Sequence, residues 1–453
     1  MNEEQNIKQL PKDWKWVKVG EYVISVKGKK PKRVSNIKTK ECSIPYVNIK
    51  AFEKNIIDEY TDGVGCALCD DGDFLMVWDG SRSGYVGKAI KGALGSTLVK
   101  LNFPNIENNY AYYFLQSKYI EINTRAKGVG IPHVDPNILW NYDLLVPPKP
   151  TQQAIVSKIE ELFSELDKGI ENLHTAQQQL KTYRQSVLKW AFEGKLTNSL
   201  NHDFFDLCDE HDLSIAAEAA APYITKQNQG NQKNHLNHSS DKGDLPKGWK
   251  MVKTIDVIEI INNGYTPTKE YLSEGSGEVP FIKVYNLNFN GTLNFKKNPT
   301  FIPDAIHKKV LKRSICLPGD VLINIVGPPL GKVSVVSNQF PEWNINQAIV
   351  MFRPNEKVIS KYISYFMQNS VTIHWLENTS KATAGQWNVK VSTCREIPFP
   401  FCSIEEQHNI VQAIESRLSV ADKMEESIIQ SLQQAEALRQ SILKKAFEGR
   451  LVN

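Results

Sequence analysis

The sequence has no apolar run approaching the roughly 18 consecutive residues a membrane helix requires, so a membrane span is excluded as an expectation. It opens with Met1-Asn-Glu-Glu-Gln-Asn, acidic where a secretory signal needs base, and no apolar core follows. A cytoplasmic protein is therefore expected. Cysteine is sparse: seven in 453 residues, scattered, which suits neither a disulfide framework nor a zinc site. The one close pair, Cys66-Ala-Leu-Cys69, has no partner pair at matching spacing. Catalytic signatures are also scarce. Gly327-Pro-Pro-Leu-Gly331-Lys332 is one residue short of a phosphate loop and lacks the hydroxyl that would hold magnesium. Gly128-Val-Gly130 lacks the third glycine of a dinucleotide fingerprint. No amino-methyltransferase motif, no HExxH spacing and no nuclease-like carboxylate cluster is present. The chain reads as a binder, with no metal and no cofactor of its own expected.

What is present is a repeat. Leu10-Pro-Lys-Asp-Trp-Lys-Trp-Val-Lys18 returns as Leu245-Pro-Lys-Gly-Trp-Lys-Met-Val-Lys253, with seven of nine positions identical at an offset of 235. Arg184-Gln-Ser-Val-Leu-Lys-Trp-Ala-Phe-Glu-Gly-Lys-Leu-Thr-Asn198 returns at an offset of 255, ending at Asn453, with eleven of fifteen identical. The middles agree only in pattern. Gly72-Asp-Phe-Leu parallels Gly319-Asp-Val-Leu, and Gly130-Ile-Pro-His-Val134 parallels Gly385-Gln-Trp-Asn-Val389. Like ends around unlike middles suggest one scaffold carrying two different reading surfaces.

Each repeat closes in a long helix. After the stops at Pro147, Pro148 and Pro150, Thr151 is the expected N-cap. A heptad row then runs Ile159, Leu166, Leu173, Leu180, Val187, and Gly194 ends the helix. The second copy, 403–449, carries Ile414, Ala421, Ile428, Ala435 and Ile442. Helix against helix is the expected use, with Arg184, Phe192, Arg439 and Phe447 added to Ile159, Leu166, Leu173, Leu180, Ile414 and Ile428 as the partner-facing set. The sequence thus divides into a globular block 1–150, a helix 151–198, a polar linker 199–244, a second globular block 245–402 and a helix 403–453. The fold class expected is α+β: two mixed α/β domains in a pseudo-two-fold repeat, joined by two long antiparallel coiled-coil helices. Strands are expected at 19–26, 74–78, 96–101, 257–261, 321–326, 332–336 and 348–352, helices at 109–122 and 359–375, and at most a short helix at 215–221.

Net charge is only +4, but it is unevenly placed. From Ser25 to Lys40 there are seven bases and no acid, among them Lys29, Lys30, Lys32 and Arg33, a pattern suited to a polyanion or to a solvated loop. The loop Gly80-Ser-Arg-Ser-Gly-Tyr-Val-Gly-Lys88 offers Ser81, Arg82, Ser83, Tyr85 and Lys88. Arginine pairs bidentately with guanine, and amides pair with adenine. The 130 loop adds Lys127 and His133, with Asn137 nearby. The second half adds Tyr265, Thr266, Lys269, Asn324, Lys332, Lys381, Gln386 and Asn388, with Ser334 beside them. Arg82 is expected to read a base and the lysines to hold phosphates.

On these motifs the chain resembles the specificity subunits of type I restriction-modification systems. The likeness rests on Leu-Pro-x-x-Trp opening each half, the Gly-Asp-x-Leu strand, the Pro-rich stop before Gln152 and before Glu406-Gln407, and the shared Arg-Gln-Ser-x-Leu-x-x-Ala-Phe-Glu-Gly-x-Leu ending. It implies two target-recognition domains that read a bipartite, asymmetric site on double-stranded DNA. It also implies a helical ruler docking two methyltransferase subunits, with restriction or translocase subunits joining them. S-adenosylmethionine, ATP and Mg are then expected on those partners. A ruler of about 60 Å matches between one and two turns of duplex at roughly 34 Å each. Two other readings stay open: a coiled-coil protein scaffold without DNA binding, and a stand-alone DNA-modifying enzyme.

Overall fold

The computed structural model describes residues 13–128, 130–196, 245–380, 382–383 and 386–452; the linker 199–244, with the short helix expected at 215–221, lies outside them. The chain divides into two compact units, Met1–Leu173 with Ile429–Asn453, and His174–Ile428. These units cut across both long helices, whereas the sequence blocks set each helix apart from its domain.

In the first unit, Lys15–Lys18 pairs antiparallel with Asp143–Val146 and ties the two ends of the globular part together. A four-stranded antiparallel sheet follows the order Ile24–Lys27, Leu98–Asn102, Phe74–Val77, Val86–Lys88. The four residues of Phe74–Val77 are all buried. That continuous apolar run requires cover on both faces. Ile24–Lys27, at the edge, is exposed throughout. A five-stranded sheet runs Val34–Ser35, Tyr60–Thr61, Ile44–Val47, Gly92–Leu94, Leu68–Cys69, with one parallel pairing, Tyr46 opposite Ala93.

The second unit repeats this plan. Its four-stranded sheet runs Ile260–Asn263, Ile349–Arg353, Val321–Asn324, Val333–Val335. Its five-stranded sheet runs Ser273–Glu274, Thr300–Ile302, Val279–Ile282, Trp343–Ile345, Ile315–Cys316, and the equivalent pairing, Phe281 opposite Asn344, is again parallel. Two buried devices recur. Gln152 accepts from the Glu107 amide (2.8 Å) and donates to the Pro147 carbonyl (2.8 Å). Gln407 accepts from the Ile359 amide (3.1 Å) and donates to the carbonyls of Lys357 (2.9 Å) and Cys402 (3.0 Å). The Tyr110 hydroxyl donates to Leu145 and that of Tyr362 to Pro400, both at 2.7 Å.

Three local expectations are corrected. Residues 19–22 and 254–257 form helical turns, Val19–Tyr22 and Thr254–Val257, so the strands start later, at Ile24 and Ile260. The chain turns there because the Val19 and Gly20 amides are claimed by the Tyr142 and Trp140 carbonyls, and the Thr254 hydroxyl by Cys394. The expected helix at 109–122 breaks into Asn108–Ser117 and Tyr119–Thr124, and its counterpart into Ser360–Gln368 and Ser370–Thr379. The first long helix spans Lys149–Phe192. Thr151 is inside it, and the Pro148 carbonyl takes the first amides, from Thr151 and Gln152. Its counterpart spans Ile404–Phe447, capped by Ser403 Oγ accepting from the Glu406 amide at 3.2 Å. Gly194 and Gly449 end the two helices at the same φ of 69°, a left-handed value that suits glycine.

Within each unit, pieces of the two long helices pack side by side. In the first, Ile155, Val156, Ile159 and Phe163 share a core with Ile442, Leu443 and Ala446. Arg439 pairs with Asp167 and lies 4.5 Å over the Phe163 ring. In the second, Val187, Leu188, Ala191 and Phe192 share a core with Ile410, Val411 and Ile414, and Arg184 bridges Asp422 (2.6 Å) and Glu425 (2.9 Å). Numbers rise along one helix as they fall along the other, so the packing is antiparallel. The row Ile414, Ala421, Ile428, Ala435, Ile442 is buried throughout, whereas Leu166, Leu173 and Leu180 are half-buried between buried Ile159 and Val187.

Candidate nucleic-acid interface

The functional candidates of the first unit converge because backbone hydrogen bonds tie their loops together. Gly28 follows the edge strand, and its amide donates to the Leu98 carbonyl at 3.0 Å. A Cβ on Gly28 would stand 2.1 Å from the Gly95 carbonyl oxygen, so only glycine permits this approach. The turn Gly95-Ser96-Thr97 is the hub. The Thr97 carbonyl accepts from Trp78 (2.8 Å) and Asp79 (3.4 Å), at the start of the 80 loop. The Gly80 amide donates to Pro132 (2.8 Å), and His133 bridges both Asp79 and Lys127. Residues 28–33, 78–83, 95–97, 127–128 and 130–133 therefore belong to one set of loops.

The second unit builds the same set. Gly264 donates to Ile349 (3.1 Å), and a Cβ there would lie 2.0 Å from the Ile345 carbonyl oxygen. The Ile325 amide donates to Ala348 (2.8 Å), Gly327 donates to Trp387 (3.1 Å), and Val326 bridges Asn388. Gly28-Lys29-Lys30-Pro31 thus corresponds to Gly264-Tyr265-Thr266-Pro267, and the turn at Ser96 to the turn at Gln347. Tyr265 is exposed, and the Thr266 hydroxyl donates to the Gln347 side-chain oxygen. Lys269 is exposed in a short 3-10 turn.

Sequence reasoning missed Ser96, Thr97, Asn346 and Gln347. Their one signal was the shared apolar spacing of Leu94, Leu98 and Val99 against Ile345, Ile349 and Val350. That spacing is too common to stand out without the pairing.

The exposed ammonium groups of Lys29, Lys30 and Lys32 have no carboxylate partner among the described residues. Elsewhere in the run, Asp79 at the start of the 80 loop pairs with Lys27 at 2.9 Å, and Glu41 approaches Arg33 at 3.9 Å. Arg82 departs further from the free guanidinium expected of a base reader. It stacks 3.9 Å over the Tyr85 ring and pairs with Glu53 at 3.1 Å. Burial opposes its charge, but the Tyr119 hydroxyl and Glu53 outweigh that and hold its pKa above the usual value. Arg82 and Tyr85 thus clamp the loop.

Ser83 is fully buried, its carbonyl taken by Asn123, and in this conformation it cannot touch DNA. Lys88 lies at the opposite end of its strand from the 80 loop, opposite Phe74. Its ammonium donates to Asn109 (2.6 Å) over the Tyr112 ring, and burial pushes its pKa down. Ser81 remains exposed on the loop. Lys127 pairs with buried Asp135 at 2.8 Å, and this hydrogen bond holds the Asp135 carboxyl below its usual range.

In the second unit, Asn324 is buried and serves its own loop. It donates to the Val326 and Pro329 carbonyls and accepts from the Lys332 amide. Ser334 is likewise buried, donating to Thr292. Both are removed from the contact set, because side chains closed into their own turn have no free group to offer. Lys332 sits at the loop's end, its ammonium near the Phe289 ring, and Asn388 is exposed. Gln386 lies in a short strand, Gln386–Trp387, and Lys381 lies outside the described residues.

Among the described residues no group of His, Cys, Asp or Glu could hold a metal ion. Cys69, of the close pair, hydrogen-bonds the Ile90 and Gly92 carbonyls, and burial pushes its thiol up to about 11. No helix among the described residues is long and apolar enough to cross a membrane.

The sequence profile of the type I restriction modification DNA specificity domain matches twice, at residues 11–175 and 246–434. The chain belongs to this family. Among curated relatives, the type I restriction enzyme MjaVIII specificity subunit of Methanocaldococcus jannaschii is 24% identical, over 99% of this chain and 96% of its own. The EcoBI specificity subunit of Escherichia coli is 24% identical, over 84% of this chain and 73% of its own. A solved structure described as the basis of complex assembly and conformational transition of the type I R-M system shares the fold, with a TM-score of 0.64 at 19% identity, covering 98% of this chain and 99% of that one. The two profile matches fall on the two repeated α/β folds, so the repeat in this chain is a repeat of the family's specificity domain.

Proposed function

We propose that this chain is the DNA-reading subunit of a type I restriction-modification complex. Each unit reads one half of a bipartite, asymmetric site on double-stranded DNA. The observation that carries this reading is the pair of equivalent loop sets. Identical backbone bonds present Lys29-Lys30 and Ser96 in one unit, and Tyr265-Thr266 and Gln347 in the other. Gln347 is the strongest candidate for a base contact. Its oxygen is engaged by Thr266, which leaves its amide hydrogens to donate to a base edge in the major groove.

The long helices, on this reading, dock two methyltransferase subunits that carry S-adenosylmethionine and methylate adenine. Restriction or translocase subunits would bring ATP and Mg, and catalysis would lie on those partners. The test is a map of methylated sites after coexpression with the methyltransferase subunit. Replacing residues 13–146 with the equivalent part of another family member is expected to change one half of the site and leave the other. A change in both halves, or none, would overturn the division of labour.

A further inference from the structure

The basic run that marks the first unit has no counterpart at the equivalent place in the second, where the connection after Gly264 carries only Lys269 among residues 264–272. The second unit is basic elsewhere. Between its strands Thr300–Ile302 and Ile315–Cys316 lies the connection 303–314, with Lys308, Lys309, Lys312 and Arg313. The equivalent connection of the first unit, 62–67 between Tyr60–Thr61 and Leu68–Cys69, is shorter and carries Asp62 and no base.

We infer that residues 303–314 are the phosphate-gripping element of the second unit, with Lys309, Lys312 and Arg313 holding the backbone of a DNA duplex. The inference rests on the DNA-reading function proposed above and adds a surface to it. Three observations carry it. First, Lys309, Lys312 and Arg313 are exposed and have no carboxylate partner among the described residues, while Lys308 is occupied by Asp304 at 2.9 Å. Second, the segment stands beside the reading loops: the Asn262 side chain, two residues before Gly264, donates to the Arg313 carbonyl at 3.3 Å.

Third, the segment is held rigidly from beneath. Buried His307 contacts Glu342 through Nε2 and accepts from the Asn344 amide at Nδ1, each at 3.1 Å. Asn344 also donates to the Leu311 carbonyl (3.2 Å), and Ser314 donates to Asn344 Oδ1 (2.7 Å). Arg353 holds the Ile315 carbonyl at 2.9 Å. A buried polar network fully satisfied in this way fixes the backbone that carries the cations, so less ordering entropy is lost when they meet phosphates.

The experiment measures binding of the full chain to a fluorescent duplex of random sequence across a salt series. The variants are Lys309→Gln/Lys312→Gln/Arg313→Gln, the charge-keeping Lys309→Arg/Lys312→Arg/Arg313→Lys, and Lys29→Gln/Lys30→Gln/Lys32→Gln. Removing one cation that neutralises a phosphate lowers the slope of log affinity against log salt by about 0.9. The first variant is expected to reduce the slope by roughly two to three, as is the variant of the first unit, while the charge-keeping variant holds the wild-type slope. If wild type shows no salt-dependent binding, the DNA-reading function itself fails. If wild type binds with a slope and the first variant keeps all of it, the function stands and the assignment of 303–314 is overturned. Thermal melting accompanies each variant. Should the triple variant melt early, Lys312→Gln alone decides, through a slope lower by about one or an unchanged slope.

Discussion

The two units of this molecule are built alike below the surface and charged differently above it. Gly28 and Gly264 make the same close approach to a neighbouring carbonyl, and Gln152 and Gln407 pin the same helix entry. Tyr110 and Tyr362 close the same buried carbonyl. Cations, by contrast, occupy the connection after the edge strand in the first unit and the connection 303–314 in the second. Buried backbone groups tolerate few solutions, because each unpaired one costs about 1–3 kcal/mol. A solvated loop meets no such requirement, so it can change length and charge while the scaffold stays the same.

The comparison is broken most severely at the buried glutamines. Gln407→Leu orphans the Ile359 amide and the Lys357 and Cys402 carbonyls, whereas Gln152→Leu orphans one amide and one carbonyl. At about 1–3 kcal/mol for each group, both are expected to lower the denaturation midpoint, Gln407→Leu more. Equal shifts would mean that the third bond contributes nothing.

Next come the helix-end phenylalanines. Phe192 is buried against Tyr362 and Phe366, while Phe447 is half-buried against Tyr110 and Phe114. Phe192→Ala is expected to cost about 3–5 kcal/mol and Phe447→Ala less, measured by chemical denaturation. The reverse order would show that burial does not set the strength of these two anchors.

Gly28→Ala and Gly264→Ala should each cost about 1–3 kcal/mol through overpacking against backbone. Each should also displace the reading loop of its own unit alone. In a methylation map, Gly264→Ala is then expected to relax one half of the site, and relaxation of both halves would end the modular picture.

The smallest effect is assigned to Arg82. As a half-exposed clamp between Glu53 and Tyr85, its replacement by alanine should cost about 1 kcal/mol or less in stability. It should weaken cognate and random duplexes by similar small factors. A weakening confined to the cognate duplex would restore it as a base reader.

The repeat, the α+β class, the long helices and their closing glycines were all legible in the sequence, because each rests on local chemistry. Matching motifs, a heptad row and a C′ glycine need no knowledge of distant partners. Family membership followed from the same marks. The loops were legible as candidates but not as contacts. Arg82 looked free until folding brought Glu53 and Tyr119 to it, and Ser83 and Asn324 looked available until their own loops closed over them. Lys27, in the basic run, looked unpaired until the 80 loop brought Asp79 to it. The turn at Gln347 carried no motif at all, and its place at the hub comes from pairing with strands far away in sequence. Periodicity along the chain therefore determined the scaffold. Which polar side chains are consumed in holding that scaffold together, and which remain free to meet a partner, was decided only by tertiary structure, because the pairing depends on how each loop closes and on partners such as Glu53 and Tyr119 that the sequence keeps far from Arg82.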